Sequence, residues 1–288
     1  MTEFLERLAT WLQGLLPQRL ASALVYRLMR SEVRWLKNLL IRTIGAVAGV
    51  DWSEAASADP DDYRCFNAFF TRALRAGVRH IDRDPAAVAC PCDGAVSALG
   101  TLDGNRLLQA KGVSYALQDL LADDPACDAL RNGSFFTLYL SPRDYHRVHM
   151  PVDGQLLRMG HVPGRLFSVA PYTVRQRPGL FARNERVVSL FEGAFGPFAL
   201  VLVGAMLVSS VTTVWAGEVT PARVSAPAWR DYAGAGVRLA KGEEMGRFNM
   251  GSTVILLLPP NALVAPEALQ PDQRVRLGER LATLGGPA

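Results

Sequence analysis

The chain has four histidines, His80, His146, His149 and His161, and two of them share one short segment, Ser141-Pro-Arg-Asp-Tyr-His-Arg-Val-His-Met-Pro151. Imidazole titrates near neutrality, so a close pair invites general acid–base chemistry. In extended backbone a spacing of three points the rings to opposite faces; in a turn they converge. The pair lacks the helical spacing of four and the obvious third ligand of a common metal site, so no metal is expected. Two ordinary polar histidines remain the plain alternative. Asp93 lies in Cys90-Pro-Cys-Asp-Gly-Ala-Val-Ser97. Read alone, Asp-Gly before a strand is a turn, and a catalytic reading needs a partner such as His149. In Asn249-Met-Gly-Ser-Thr-Val-Ile255 a Gly-Ser-Thr step enters a strongly apolar run. Gly251 lets the backbone bend sharply, and strain there would favour attack of the Ser252 hydroxyl on the Gly251 carbonyl. Taken by itself, that step is also a turn.

The elements that must position these groups fall into two parts. At the N-terminus, Leu5, Leu8, Leu12, Leu15 and Leu16 recur at helical spacing with Phe4 and Trp11, and Pro17 ends the run. A second helical pattern runs through Leu20, Leu24, Leu28, Val33, Leu36, Leu39, Leu40 and Ile44. A helix is expected over 62–75, with Phe66, Phe69, Phe70 and Leu74 on one face, and another around 115–121. From about residue 88, short runs rich in Val, Leu, Phe and Thr alternate with turn residues. Strands are expected at 95–99, 135–140, 187–191, 198–203, 208–214 and 253–258. The fold class is therefore α+β: N-terminal helices over 1–60, then a β-rich body over 61–288. No charge occurs from 193 to 217, long enough to cross a bilayer. Gly204, the Ser209–Ser210 pair and the β-branched residues at its end favour two buried strands instead.

Composition sets the remaining bounds. Hydrophobic residues make up 49% of the 288 and charged residues 20%, an ordinary globular balance. The net charge of +4 is too small to suggest nucleic acid. Residues 1–50 hold seven basic and three acidic residues, so this segment carries the whole surplus. Basic amphipathic helices of this kind lie in a membrane interface, or they pack as a pair on their own core. The four cysteines are sparse for a disulfide scaffold, and Glu3 and Glu6 stand where a signal peptide would be basic. A reduced, cytoplasmic chain is expected.

Together these segments resemble the phosphatidylserine decarboxylase proenzymes of the bacterial, membrane-associated kind. The likeness extends to Phe66-Asn-Ala-Phe-Phe-Thr-Arg72, Leu108-Gln-Ala-Lys-Gly112, Val162-Pro-Gly-Arg-Leu-Phe-Ser-Val169, Leu180-Phe-Ala-Arg-Asn-Glu-Arg186, Val203-Gly-Ala205 and Val214-Trp-Ala-Gly217, in the family's order. One departure is Met250, where the family commonly has Leu; the two are close in volume.

The resemblance implies a mechanism. His149 acts as general base on Ser252, and Asp93 orients and stabilises the imidazolium. Ser252 Oγ attacks the Gly251 carbonyl and the amide becomes an ester. Elimination gives dehydroalanine, which hydrolyses to ammonia and a pyruvoyl group. The products are a β chain, 1–251, and an α chain, 252–288, which stay together. The lipid's serine amine then forms a Schiff base with the pyruvoyl ketone, which accepts electrons as CO₂ leaves. His146 is the candidate proton donor to the resulting carbanion. The expected partners are phosphatidylserine and an anionic membrane surface, reached peripherally from the cytoplasmic side, and a homo-oligomer is left open. Two rival readings stand beside this one. One is a membrane-associated serine hydrolase using Asp93, His149 and Ser252, which lacks a Gly-x-Ser-x-Gly elbow. The other is a non-enzymatic lipid-surface protein.

Overall fold

The structure is a computed structural model. It describes residues 6, 10, 11, 13, 17–110, 113–206, 210–220, 224–250, 252–266 and 268–285. Of the first expected helical run, Glu6, Thr10, Trp11 and Gln13 are helical, while its leucines and Phe4 lie outside the described residues. The second pattern is two helices, α1 (Gln18–Met29) and α2 (Arg34–Ala48). Helix α2 stops at Gly49, whose φ of +74° provides the left-handed cap. Its inner stripe is Lys37, Ile41 and Gly45, four residues apart. A Cβ on Gly45 would meet the Trp52 ring at 3.1 Å, so glycine sets how closely the helix approaches. Lys37 donates from Nζ to the Pro60 carbonyl at 2.8 Å, which satisfies its buried charge.

The helix expected over 62–75 is much shorter, α3 (Phe66–Phe70). Cys65 is extended, with φ −154°, and Thr71 donates its hydroxyl to the Asn67 carbonyl, closing the far end. The spacing of the phenylalanines holds: Phe66, Phe69 and Phe70 are all buried. They form a small core with Met29, Ile41 and Val50, and Met250 packs against it. Around 115–121, Tyr115 belongs to a strand, Val113–Ala116, and only Leu117–Leu121 is helical.

The β-rich body is as expected for an α+β chain. The strands that matter for the site are β1 (Gly94–Thr101), β2 (Ser134–Leu140), β3 (Arg147–His149), β4 (Gly154–Val162), β5 (Arg186–Gly193), β6 (Gly196–Val203), β7 (Ser210–Thr213), β8 (Glu244–Asn249) and β9 (Ser252–Leu258). Each of the six expected strands falls within or overlaps one of these. The uncharged stretch 193–217 contains β6 and β7, and no helix among the described residues is long and apolar enough to cross a membrane.

The main antiparallel sheet runs β4-β5-β6-β9-β2-β1, with short strands at both edges. Strand β9 lies at its centre: Ser252 opposes Leu140 and Leu258 opposes Ser134 on one side, while Thr253 opposes Val203 on the other. Val254, Ile255, Leu256, Leu257 and Leu258 are fully buried. Val254 and Leu256 join Phe136, Leu138 and Leu200 on one face, and Ile255 and Leu257 join Phe135, Val201 and Val203 on the other. Each such side chain contributes about 1.5–3 kcal/mol. A smaller sheet places β8 between β7 and β3. Of the connections that pass between the two sheets, two matter for the site. One is 141–146, from β2 to β3, and the other is the short step from β8 to β9.

Candidate active site

That double crossing brings the candidate residues into one neighbourhood. Strand β3 lies alongside β8, with His149 opposite Glu244 and Arg147 opposite Arg247. The Phe248 amide donates to the His146 carbonyl at 3.0 Å. The segment before β1 runs along β3: the His149 amide donates to Pro91 O at 2.8 Å, and the Ala89 amide to Pro151 O at 2.9 Å. Asp93 thus enters beside His149. Gly94 is already in strand, and a Cβ there would lie 2.4 Å from the Tyr139 carbonyl oxygen. The Asp-Gly step is therefore a close approach of two backbones, not a turn.

His149 Nδ1 lies 2.8 Å from the Gly242 carbonyl oxygen. A carbonyl only accepts, so Nδ1 carries the proton and Nε2 holds the lone pair of the neutral ring. The Tyr145 hydroxyl donates to that Nε2 at 3.1 Å. Burial lowers the His149 pKa below its ordinary value, while the Gly242 bond and the charges of Glu244 and Asp93 pull the other way. The ring is a neutral base at neutral pH. Burial raises Tyr145 to about 12, so its phenol keeps its proton.

Asp93 and His149 are close, yet among the described residues no hydrogen bond joins them. The Asp93 carboxylate is buried and accepts from Arg79 twice, Nε to Oδ1 at 2.9 Å and Nη2 to Oδ2 at 2.5 Å. The Leu277 amide adds a third bond at 2.8 Å. Arg79 also holds Glu54, at 3.0 and 2.6 Å. The hydrogen bonds that orient the His149 ring come from Gly242 and Tyr145, and Asp93 acts on it through space.

His146 is fully buried. Its Nδ1 donates to Asp144 O at 2.8 Å, its ring centroid lies 4.0 Å from that of Phe70, and its Nε2 has no partner. Burial, with help from the Arg72 charge, lowers its pKa to about 4. The loop that carries it is tied down by Asp144, which accepts from the Ser141 amide and hydroxyl and pairs with Arg274.

Ser252 is the first residue of β9. Gly251 lies outside the described residues. Just before it, Met250 has φ +98°. Such a value costs a non-glycine residue about 1–3 kcal/mol, so the observed backbone strain is at Met250. A cavity of about 520 Å³ lies close by, lined by Ala95, Ser97, Leu108, Tyr139, Val169 and Val174 among others. Tyr139 opposes both Ala95 and Thr253, so part of the lining is one register position from Ser252.

Comparison with known proteins gives the family. The family model described as phosphatidylserine decarboxylase matches residues 66–283. The chain belongs to the phosphatidylserine decarboxylase family. A second model, described as PSD, matches residues 8–45. The phosphatidylserine decarboxylase proenzyme of Nitrosococcus oceani is 51% identical over 284 residues, covering 96% of this chain and 93% of that protein. That of Methylococcus capsulatus is 53% identical over 250 residues, covering 86% and 87%. That of Xanthomonas axonopodis pv. citri is 51% identical over 275 residues, covering 96% and 98%.

In this phosphatidylserine decarboxylase family member, sequence reasoning missed Arg79, Tyr145 and the Gly242 carbonyl. Tyr145 stood in plain view inside the histidine segment, four residues from His149. Arg79 stands in a loop without periodicity, and nothing local marks it as the partner of Asp93.

Proposed function

We propose that this chain is a self-processing phosphatidylserine decarboxylase that converts phosphatidylserine to phosphatidylethanolamine and CO₂. In this reading the peptide bond 251–252 is cut by the protein itself, with Ser252 as nucleophile and His149 as base. The observation that carries it is the state of His149: a buried neutral ring, its Nδ1 proton committed to Gly242 and its Nε2 lone pair held by the Tyr145 hydroxyl. Ser252 Oγ loses its proton to Nε2 as it adds to the Gly251 carbonyl, and the imidazolium returns that proton to the Ser252 nitrogen as the C–N bond breaks, so the amide becomes an ester with a free amine. Tyr145 must yield its bond to Nε2 as that proton arrives. Asp93, fixed by Arg79, supplies a negative charge that favours the imidazolium. The strained Met250 raises the energy of the uncut backbone.

A pyruvoyl group at Ser252 would supply the conjugated carbonyl that withdraws electrons during decarboxylation. The surroundings fit such a group. The position opens a central strand, and a buried, unpartnered imidazole nitrogen, His146 Nε2, waits in the adjoining loop. The neutral His146 ring has no proton on Nε2 to give. To act as the candidate proton donor to carbon, Nε2 must first gain a proton, which burial opposes. The cavity beside Tyr139, with Leu99, Leu108, Val169 and Val174 in its lining and Glu6, Arg175 and Asp272 among them, suits the glycerol and acyl stem of a lipid.

Residues 1–60 form the membrane-facing unit in this reading, and 61–288 the catalytic body, divided by self-cleavage into 1–251 and 252–288. Leu20, Leu24 and Leu28 form an exposed stripe on α1, and Trp35, Leu39 and Val47 are exposed on α2. Arg27, Arg34 and Arg42 are exposed on the same helices. Apolar stripes with neighbouring cations suit a peripheral, anionic membrane surface.

Denaturing mass spectrometry tests the core of the proposal. Two fragments divided at 251–252, the smaller starting with a pyruvoyl group, are expected, and Ser252→Ala should give one intact chain. A single full-length mass from matured wild-type protein would overturn the reading and favour the hydrolase.

A further inference from the structure

Arg72 is a buried cation whose hydrogen-bonding capacity the fold leaves mostly open. It stands just past α3 and is only 4% exposed. Its guanidinium lies over the Phe69 ring, 5.3 Å from the centroid, and Nη2 donates to the Arg143 carbonyl at 3.0 Å. Nε and Nη1 are buried and have no hydrogen-bond partner. The acids whose charge reaches Arg72 are engaged by other arginines: Asp93 by Arg79, Asp144 by Arg274, and Glu54 by Arg79 and Arg276. Buried N–H donors left open in this way cost a fold stability.

The place of Arg72 gives that cost a purpose. Three successive residues fasten this segment to the histidine loop. The Phe70 ring lies 4.0 Å from the His146 ring, the Thr71 carbonyl accepts from Arg147 Nε at 2.9 Å, and Arg72 reaches the Arg143 carbonyl. Arg72 is near enough to His146 for its charge to add to burial in lowering the imidazole pKa. His146 Nε2 is itself buried and without a partner. Open donors and an open acceptor therefore share one buried neighbourhood, at the imidazole assigned to the substrate's α-carbon. Phosphatidylserine carries its carboxylate directly on that carbon, and its phosphate further out along the headgroup. Guanidinium N–H groups bind carboxylates through charge-assisted hydrogen bonds. We propose that Arg72 binds the carboxylate of phosphatidylserine and so fixes the direction of the bond that breaks. This rests on the proposed function and its assignment of His146. The pairing also serves the proton. A bound carboxylate offsets the Arg72 charge, so His146 takes up a proton from solvent more readily. When the carboxylate leaves as CO₂, its bonding electron pair stays on the α-carbon and the Arg72 charge is uncovered. The imidazolium then gives its Nε2 proton to that carbon and returns to the neutral ring.

Binding, rather than turnover, tests it. Borohydride reduces the ketone of the mature protein's pyruvoyl end to an alcohol, which no longer condenses with the lipid amine, and mass spectrometry checks both the cut and the reduction. Calorimetry then compares short-chain phosphatidylserine with short-chain phosphatidylethanolamine, which lacks only the carboxylate. Wild type should prefer phosphatidylserine. Arg72→Gln should weaken phosphatidylserine about 10- to 100-fold and leave phosphatidylethanolamine within about twofold. Arg72→Lys keeps the charge and should recover part of the loss. Because the open donors are held at a cost, Arg72→Gln should leave the denaturant midpoint of the uncut Ser252→Ala chain unchanged or raised. A lowered midpoint, or a variant that does not fold, would make Arg72 a structural residue and overturn the proposal. Equal weakening of both lipids, or an unchanged preference between them, would overturn it as well. A wild-type chain that stays uncut would overturn the proposed function beneath it, which the mass measurement shows separately.

Discussion

The helical unit and the β body solve the burial problem in opposite ways. Strand β9 has both neighbours in place and five consecutive aliphatic side chains fully buried. Helices α1 and α2 bury one narrow stripe each, on a core of six buried side chains shared with α3. Their other faces present leucines, a tryptophan and arginines outward. The inner stripe is buried, and the outer leucines are left in solvent. The difference teaches a division of labour. On the proposed function, chemistry sits where burial is complete and pKa values shift, and membrane contact where burial is left unfinished. The two regions meet at Met250, strained beside the bond to be cut and packed on the helical core.

If the division is real, damage to one region should spare the other. The largest effect is expected from His149→Ala. Self-cleavage of freshly translated precursor should slow by about 10²–10⁴-fold, seen as persistence of the full-length band, with vesicle binding intact. Next comes Arg79→Gln, which leaves the buried Asp93 without its cation, while Glu54 keeps Arg276 at 3.5 Å. It should destabilise the uncut Ser252→Ala chain by about 3–5 kcal/mol, read from denaturant unfolding. Leu20→Glu with Leu24→Glu should do the converse. It should lower partition into every vesicle type by about 30-fold or more, while cleavage proceeds. If cleavage stops instead, the regions are coupled through the shared core and the comparison breaks.

The pH profile sharpens the same contrast with a smaller effect. Burial depresses the His149 pKa below the ordinary histidine value, so the neutral base persists as pH falls. Cleavage should be flat from about pH 8 to about pH 6.5 and decline only below that. A decline beginning above about pH 6.5 would mean that the base is less buried than described. The smallest effect is expected from Met250→Gly, which adopts φ +98° without strain. Cleavage should slow by up to about fivefold.

Much of this was legible in the chain, for physical reasons that differ by element. The runs at 135–140, 198–203 and 253–258 are apolar and β-branched, so burial and strand propensity agree. At α3 the phenylalanine spacing was right and the length was not. Helical periodicity extends past Phe70, but an extended Cys65 and the Thr71 hydroxyl stop the helix at both ends. Asp93, His149 and Ser252 stood out through resemblance, and the structure adds what spacing cannot supply. The Arg79 partner, the Gly242 carbonyl and the double crossing between sheets are all long-range contacts. The local rule about glycine flexibility pointed to Gly251, which lies outside the described residues; beside it, Met250 has a positive φ.

The central place of β9 has one more consequence. Its register with β2 runs from Ser252 to Leu258, and with β6 from Thr253 to Leu257. On the proposed cut at 251–252, both flanking strands belong to the longer product, 1–251. After cutting, the short fragment is therefore a non-covalent insert in the middle of someone else's sheet. It cannot leave without exposing two ladders of backbone amides and an entire apolar core at once. Mature molecules mixed in solution should not trade their short fragments, and the cut enzyme should unfold in one step, as an unbroken chain does.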